Sequence, residues 1–281
     1  MVALGAFDGV HRGHQSTLEQ VRGLARERNA EATVLTFDPG PREFVAGIRQ
    51  PGTRLTTRAE QMCRLRQLGL DLALVIEFPG LIADLSPEHF VRDVLVGQLR
   101  ATCVCAGGSH RFGRDGAGDL KLLRRLGRLH GFEVVIIDPV VIGGSRISST
   151  VIRALLSRGE VAHAATLLGR PYALVADVVS GQGLGASLGF PTANLRTPAE
   201  KLVPADGVYA GVAGRPIGPC AVMSEAYPAA INVGTAPTVE RNTRVVEAHL
   251  IGAEHDLVGA KLTIQFIGWL RAEEAFADRD A

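Results

Sequence analysis

The hydrophobic period of this chain changes once, near residue 170, and that change restricts the folds open to it. Before it, apolar runs at 2–7, 32–37, 72–78, 101–106 and 133–138 alternate with stretches of helical spacing at 18–25, 59–68, 88–99 and 120–129. In the last of these, Leu122, Leu123, Leu126 and Leu129 read as one apolar stripe, with Arg124, Arg125 and Arg128 outside it. Strands alternating with helices predict an α/β domain whose parallel sheet is covered on both faces. Ligands of such sheets bind beyond the carboxyl ends of the strands. After residue 170, short alternating stretches at 173–180, 208–212, 245–251 and 261–270 are separated by glycine and proline, which predicts a small antiparallel β-barrel. A helix suggested at 161–168 is closed by Gly169-Arg170-Pro171. The expected domains are therefore 1–168 and 169–281, and 281 residues suffice for two cores.

Composition narrows the class. With 46% hydrophobic and 21% charged residues the chain is globular in type. A net charge of +1 gives no electrostatic argument for a nucleic-acid or membrane partner. No apolar run approaches the ~20 residues of a membrane span, and no signal peptide is read at the start. Cys63, Cys103, Cys105 and Cys220 lack zinc-type spacing. Cys103 and Cys105 sit in an apolar run and read as core thiols, so the expected compartment is the cytoplasm. No exposed apolar stripe argues for association, and the oligomeric state stays open.

The start of the chain is the densest in chemistry. Val2-Ala3-Leu4 reads as a strand, and Leu18, Val21, Leu24 and Ala25 recur at helical spacing. Gly5-Ala6-Phe7-Asp8-Gly9-Val10-His11-Arg12-Gly13-His14 then fills a strand-to-helix turn. The free N–H groups and positive end of a helix start bind anions, and glycine lets the backbone approach a phosphate. Glycine-rich turns of this kind are common in α/β proteins; the two histidines framing Gly13 are what mark a nucleotide phosphate site.

His-x-Gly-His resembles the signature of the nucleotidylyltransferase superfamily. The longer Phe7-Asp8-Gly9-Val10-His11-Arg12-Gly13-His14 resembles one branch of it, the prokaryotic bifunctional riboflavin kinase/FMN adenylyltransferases. Arg146-Ile147-Ser148-Ser149-Thr150-Val151-Ile152-Arg153 is similar to the superfamily's second signature. Read from its residues, this stretch is a helix cap ahead of Ile152, Leu155 and Leu156. The same geometry also offers hydroxyls and N–H groups to a phosphate, with Arg146 and Arg153 supplying charge.

The resemblance implies a Rossmann-like nucleotidylyltransferase domain. Its ATP site would comprise Gly5, Phe7, Asp8, Gly9, His11, Gly13 and His14, with Arg146, Ser149, Thr150 and Arg153 around the departing pyrophosphate. Adenylyl transfer joins a phosphate monoester to the α-phosphorus of ATP. The attacking oxygen is already ionised, so catalysis is positioning and charge neutralisation, and no base is needed. His11 and His14 are the catalytic candidates. Two further stretches resemble the family's flavin-binding loops. In Thr36-Phe37-Asp38-Pro39-Gly40-Pro41-Arg42-Glu43-Phe44, Gly40 stands at a usual histidine. In Gly107-Gly108-Ser109-His110-Arg111-Phe112-Gly113, Ser109 replaces an amide or acid and His110 an aromatic residue. Pro39, Ser109 and Phe112 are the implied flavin contacts.

In the second half, Gly183, Gly185 and Gly189 lie in a stretch that on its glycines alone is simply a loop. Pro191-Thr192-Ala193-Asn194 resembles the riboflavin kinase signature, and the three glycines then become phosphate-binding candidates. In that signature the threonine and asparagine oxygens hold magnesium and the ATP phosphates, and such oxygens suit a hard cation. Asn232-Val233-Gly234-Thr235-Ala236-Pro237-Thr238 is similar to another family segment. Glu247, read from its flanks, is an outward-facing strand residue. The resemblance puts it where the family has its general base, which takes the proton of a ribityl hydroxyl. Ala6, Ala186, Gly252, Ala253 and Val258 depart from the family's usual residues. The implied protein uses Mg2+ and ATP and acts on riboflavin and FMN, with neither nucleic acid nor membrane as partner. The alternatives are a member with one active half or an altered flavin-like substrate, and a non-catalytic flavin- or nucleotide-binding sensor.

Overall fold

The structure is a computed structural model that describes residues 1–40, 52–78, 82–142, 144–181, 191–236, 243–253 and 257–273. The chain divides into two compact units, residues 1–50 with 61–147, and residues 51–60 with 148–281.

The first unit is built on a sheet of β1 (Val2–Leu4), β2 (Thr33–Asp38), β3 (Leu72–Glu77), β4 (Cys103–Gly107) and β5 (Glu133–Ile137). Their order is β3-β2-β1-β4-β5 and every pairing is parallel, as the alternation of periods predicts. Successive strand residues face opposite sides, so each strand feeds two cores. On one side Ala3, Val34, Cys103 and Cys105 pack with Leu18, Val21 and Ala25 of α1 (Arg12–Glu27) and with Leu65 of α2 (Arg58–Gln67). On the other, Val2, Leu4, Leu35 and Val104 meet α3 and α4. Helix α3 (Pro87–His89) continues as a π-helix over Phe90–Gln98 and contributes Phe90, Val91, Val94 and Leu95. Helix α4 (Leu120–His130) contributes Leu123 and Leu126. Leu129 is a correction: it is 74% exposed. At 100° per residue it lies 240° round the helix from Leu123, away from the face that the sheet covers.

Strand order reverses between β1 and β4, which makes the crevice beyond their carboxyl ends the expected ligand position. A small antiparallel ladder, β6 (Val141–Ile142) with β7 (Ser145–Arg146), follows β5 and was not expected from the sequence.

The second unit holds α5 (Ser149–Leu156), α6 (Val161–Leu168) and a closed antiparallel barrel. The barrel strands are β8 (Tyr172–Val179), β9 (Ala193–Arg196), β10 (Gly207–Ile217), β11 (Val222–Ala236), β12 (Thr243–Leu250) and β13 (Lys261–Arg271), in the order β10-β11-β12-β9-β8-β13. Leu174, Ala176, Tyr209, Ile231, Val233, Val246, Ala248, Ile264 and Phe266 fill its interior. Two strands escaped the sequence reading: β9 has four residues, and β11 runs through Pro228 and Gly234, which read as breakers.

Residues 51–60 belong to this second unit. Gly52 N donates to Ala199 O (2.6 Å), Arg54 N to Glu200 O (2.8 Å) and Leu202 N to Arg54 O (2.8 Å). Glu60 pairs with Lys201, and both side chains are almost wholly buried.

Candidate functional site

The turn after β1 is held open by backbone that most residues avoid. Phe7 (φ 49°), Gly9 (φ 81°) and Val10 (φ 39°) are all left-handed. Such conformations are uncommon outside glycine, and clusters of them mark functional turns. Neighbouring side chains hold the turn in place. The Ala6 carbonyl accepts from Gln61 Nε2 (2.6 Å) and Thr36 Oγ1 (3.2 Å), and Val10 O accepts from Gln15 Nε2 (2.8 Å). Sequence reasoning missed Gln61 and Thr36, since each reaches the turn from a different element.

His11 is the N-cap of α1, and its Nδ1 accepts from the His14 backbone N–H (3.2 Å). The two imidazoles stack with centroids 3.6 Å apart and planes 17° apart, while Phe7 meets His14 edge-on at 5.2 Å. A Cβ on Gly13 would stand 3.2 Å from the His11 ring, so glycine there lets the rings pack. Burial, and then the neighbouring His11, hold His14 well below its ordinary pKa. Its Nδ1 is buried and has no hydrogen-bond partner. A neutral imidazole with an unused nitrogen at a helix N-terminus suits an anion that brings its own negative charge.

Arg146 lies in β7 of the first unit; Ser149, Thr150 and Arg153 lie in the second. The cap reading holds at Ser148, whose Oγ accepts from Val151 N (3.3 Å), which leaves Ser149 and Thr150 in the first turn of α5. Arg153 Nε donates to Thr53 O (2.7 Å). Beyond β4, Gly108, Ser109, His110, Arg111, Asp119 and Lys121 line a cleft of about 430 Å³. Burial pushes His110 down to about 4, and its Nε2 has no partner. Phe112 instead enters the core beside Phe90 (6.0 Å). Pro39 follows a cis peptide bond at the end of β2.

In the barrel, register gathers the other candidates. Glu247 of β12 is paired with Asn194 of β9 on one side and with Asn232 of β11 on the other. Their neighbours Val246, Ala248, Leu195, Ile231 and Val233 face inward, so the three polar residues form a row on the outer face. Thr192 directly precedes β9, two residues before Asn194. Glu247 is outward-facing, as its flanks predict, yet it is only partly exposed. Burial first, and the Glu273 carboxylate second, push its pKa up. Glu273 Oε1 accepts from Asn232 Nδ2 (3.3 Å). The amide of Asn194 occupies the space that a Cβ on Gly181 would take. Gly183, Gly185 and Gly189 lie outside the described residues.

A parallel α/β unit whose first strand leads into a glycine- and histidine-rich helix start, followed in the chain by a barrel with a half-buried carboxylate between two asparagines, defines a class of proteins with two candidate sites. The comparisons narrow it. A family profile for FAD synthetase matches residues 1–151, and one for riboflavin kinase matches residues 168–281. The bifunctional riboflavin kinase/FMN adenylyltransferase of Escherichia coli (strain K12) is 36% identical over 285 residues, covering 100% of this chain and 87% of that protein. The one from Listeria monocytogenes is 33% identical, covering 98% and 85%. A crystal structure named as a macrolide-efflux protein from Streptococcus pneumoniae matches with a TM-score of 0.86 and 26% identity, over 99% of this chain and 88% of that one. Among the described residues no helix is long and apolar enough to cross a membrane. The chain belongs to the bifunctional riboflavin kinase/FMN adenylyltransferase family.

Proposed function

We propose that this chain phosphorylates riboflavin to FMN at the barrel and adenylylates FMN to FAD at the turn after β1. The register that sets Glu247 beside Asn194 carries this reading, because phosphorylation of an alcohol needs a base and adenylyl transfer does not. The functional domains are taken as 1–168 and 169–281, and the compartment as the cytoplasm.

At the barrel, Glu247 takes the proton of the ribityl hydroxyl as that oxygen attacks the γ-phosphorus of ATP, whose bond to the bridging oxygen breaks to release ADP. Its raised pKa makes it a stronger base than an exposed carboxylate once ionised. The Thr192 hydroxyl and the Asn194 amide oxygen suit a hard cation, with Asn194 seated against Gly181, where only glycine leaves room. These two residues would hold Mg2+, which supplies charge neutralisation for the phosphates when bound. Gly183, Gly185 and Gly189 are assigned to the phosphates by family resemblance.

At the turn, the FMN phosphate is already an anion. His11 and His14 donate to the polyphosphate, and the α1 N-terminus adds its dipole. Gly5, Phe7, Asp8, Gly9 and Gly13 shape the cradle, and Arg146, Ser149, Thr150 and Arg153 are assigned to the departing pyrophosphate. Pro39 and Ser109 are assigned to the flavin; the core position of Phe112 gives it a supporting role beneath that loop. The test is incubation of purified protein with Mg-ATP and riboflavin, then with Mg-ATP and FMN, resolving the flavins by chromatography. FMN followed by FAD is expected, and absence of both products refutes the proposal.

A further inference from the structure

The barrel row contains an atom that the mechanism above leaves unused. Asn232 Oδ1 is buried and has no hydrogen-bond partner, although its residue is only partly exposed and lies next to Glu247 in register. Buried polar atoms without partners are rare, and each needs a reason. The amide's orientation is fixed by its other end. Nδ2 donates to Glu273 Oε1 at 3.3 Å, and a carboxylate can only accept, so turning the amide would set oxygen against oxygen. Glu273 is itself seated. Its carboxylate lies over Gly234, two residues along the same face of β11, in space that a Cβ would fill. Oδ1 is therefore held as an acceptor, and directly paired antiparallel residues keep their Cβ atoms roughly 4.5–5.5 Å apart.

We propose that Asn232 binds the phosphoryl-acceptor alcohol by accepting a hydrogen bond from the hydroxyl adjacent to the one that Glu247 deprotonates, and that Glu273 is a positioning residue that sets the Asn232 amide. This rests on the barrel being the riboflavin-phosphorylating site. It makes the site selective for a polyol: a terminal alcohol without a neighbouring hydroxyl leaves Oδ1 unpaired in the complex as well.

The experiment is steady-state kinetics of FMN formation from riboflavin by the full chain, paired with a riboflavin analogue lacking the hydroxyl next to the terminal one. Asn232→Ala is expected to lower kcat/KM for riboflavin about tenfold, with KM for ATP unchanged. The wild-type protein should lose a similar factor on the analogue, a measurement that needs no variant. On the analogue, Asn232→Ala should cost nothing more. Glu273→Ala should shift kcat/KM for riboflavin in the same direction, and Glu273→Gln, whose carbonyl still accepts from Nδ2, should restore it. Equal turnover of riboflavin by Asn232→Ala and wild type overturns the inference. A matching rise in KM for ATP also overturns it, since that marks a nucleotide or metal role. Equal penalties for Asn232→Ala on riboflavin and on the analogue overturn it too. If the wild-type protein makes no FMN, the functional reading itself falls and the inference with it.

Discussion

The two candidate sites treat burial in opposite ways. At the turn after β1, burial makes bases weaker: His14 is held well below its ordinary pKa and is neutral before a ligand arrives. On the barrel, burial makes an acid weaker and its conjugate base stronger: Glu247 is pushed up. Each direction suits the chemistry proposed for it. A site that receives an anionic nucleophile needs donors and tightly set backbone. A site that must activate a neutral alcohol needs a carboxylate that wants a proton. The backbone differs in the same sense, with three left-handed residues crowded into the turn and regular antiparallel register around Glu247.

The sharpest way to break this contrast is to remove the base from one site only. Glu247→Gln is expected to reduce FMN formation by 10²–10⁴-fold while leaving FAD formation from supplied FMN intact; normal riboflavin phosphorylation by the variant removes Glu247 from the mechanism. His14→Ala is the converse, with FAD formation from FMN falling about 10²–10³-fold and riboflavin kinase rates unchanged. A third substitution tests the second unit's packing rather than its chemistry. Glu60→Ala leaves Lys201 buried without its carboxylate, and chemical denaturation should show a loss of about 3 kcal/mol.

The smallest effect is in pH. The depressed pKa values of His14 and His110 contribute stability that is present above 6.5 and is lost as pH falls through that value towards about 4 for His110. The raised pKa of Glu247 has the opposite sign, favouring the fold below 4.5 and ceasing to do so as pH rises through the shifted value. His110 alone should cost about 1 kcal/mol as pH falls from 7 to 5.5. Thermal melts of His110→Gln over this range should flatten; an unchanged slope contradicts the assignment.

How much of this was legible in the sequence differs between the units. In the first, strand and helix carry different periods, so five strands and their parallel pairing follow from the alternation, while the strand order does not. In the second, only four of the six strands stood out, because β11 contains proline and glycine and β9 is short. Without β11 there is no register to set Asn232 beside Glu247. Motif resemblance supplied His11, His14, Asn194 and Glu247, while the side chains that hold them in place did not show. Gln61 reaches Ala6 from 55 residues away, and Glu273 reaches Asn232 from 41 away. Contacts of that span leave no local pattern. Leu129 shows the opposite error, a residue of the right type one helical face away from the core.

The most direct measurement of two separate sites is complementation between the two disabled proteins. Glu247→Gln and His14→Ala are each incubated with Mg-ATP and riboflavin, alone and then mixed, and the flavins are separated. Over the time in which the wild-type protein completes both steps, the expected result is riboflavin largely unconverted with the first, FMN with little FAD with the second, and rapid FAD formation only in the mixture. FAD formed by either protein alone as fast as by the mixture, or none from the mixture while the wild-type protein makes it, would contradict the assignment of the two reactions to two separate sites.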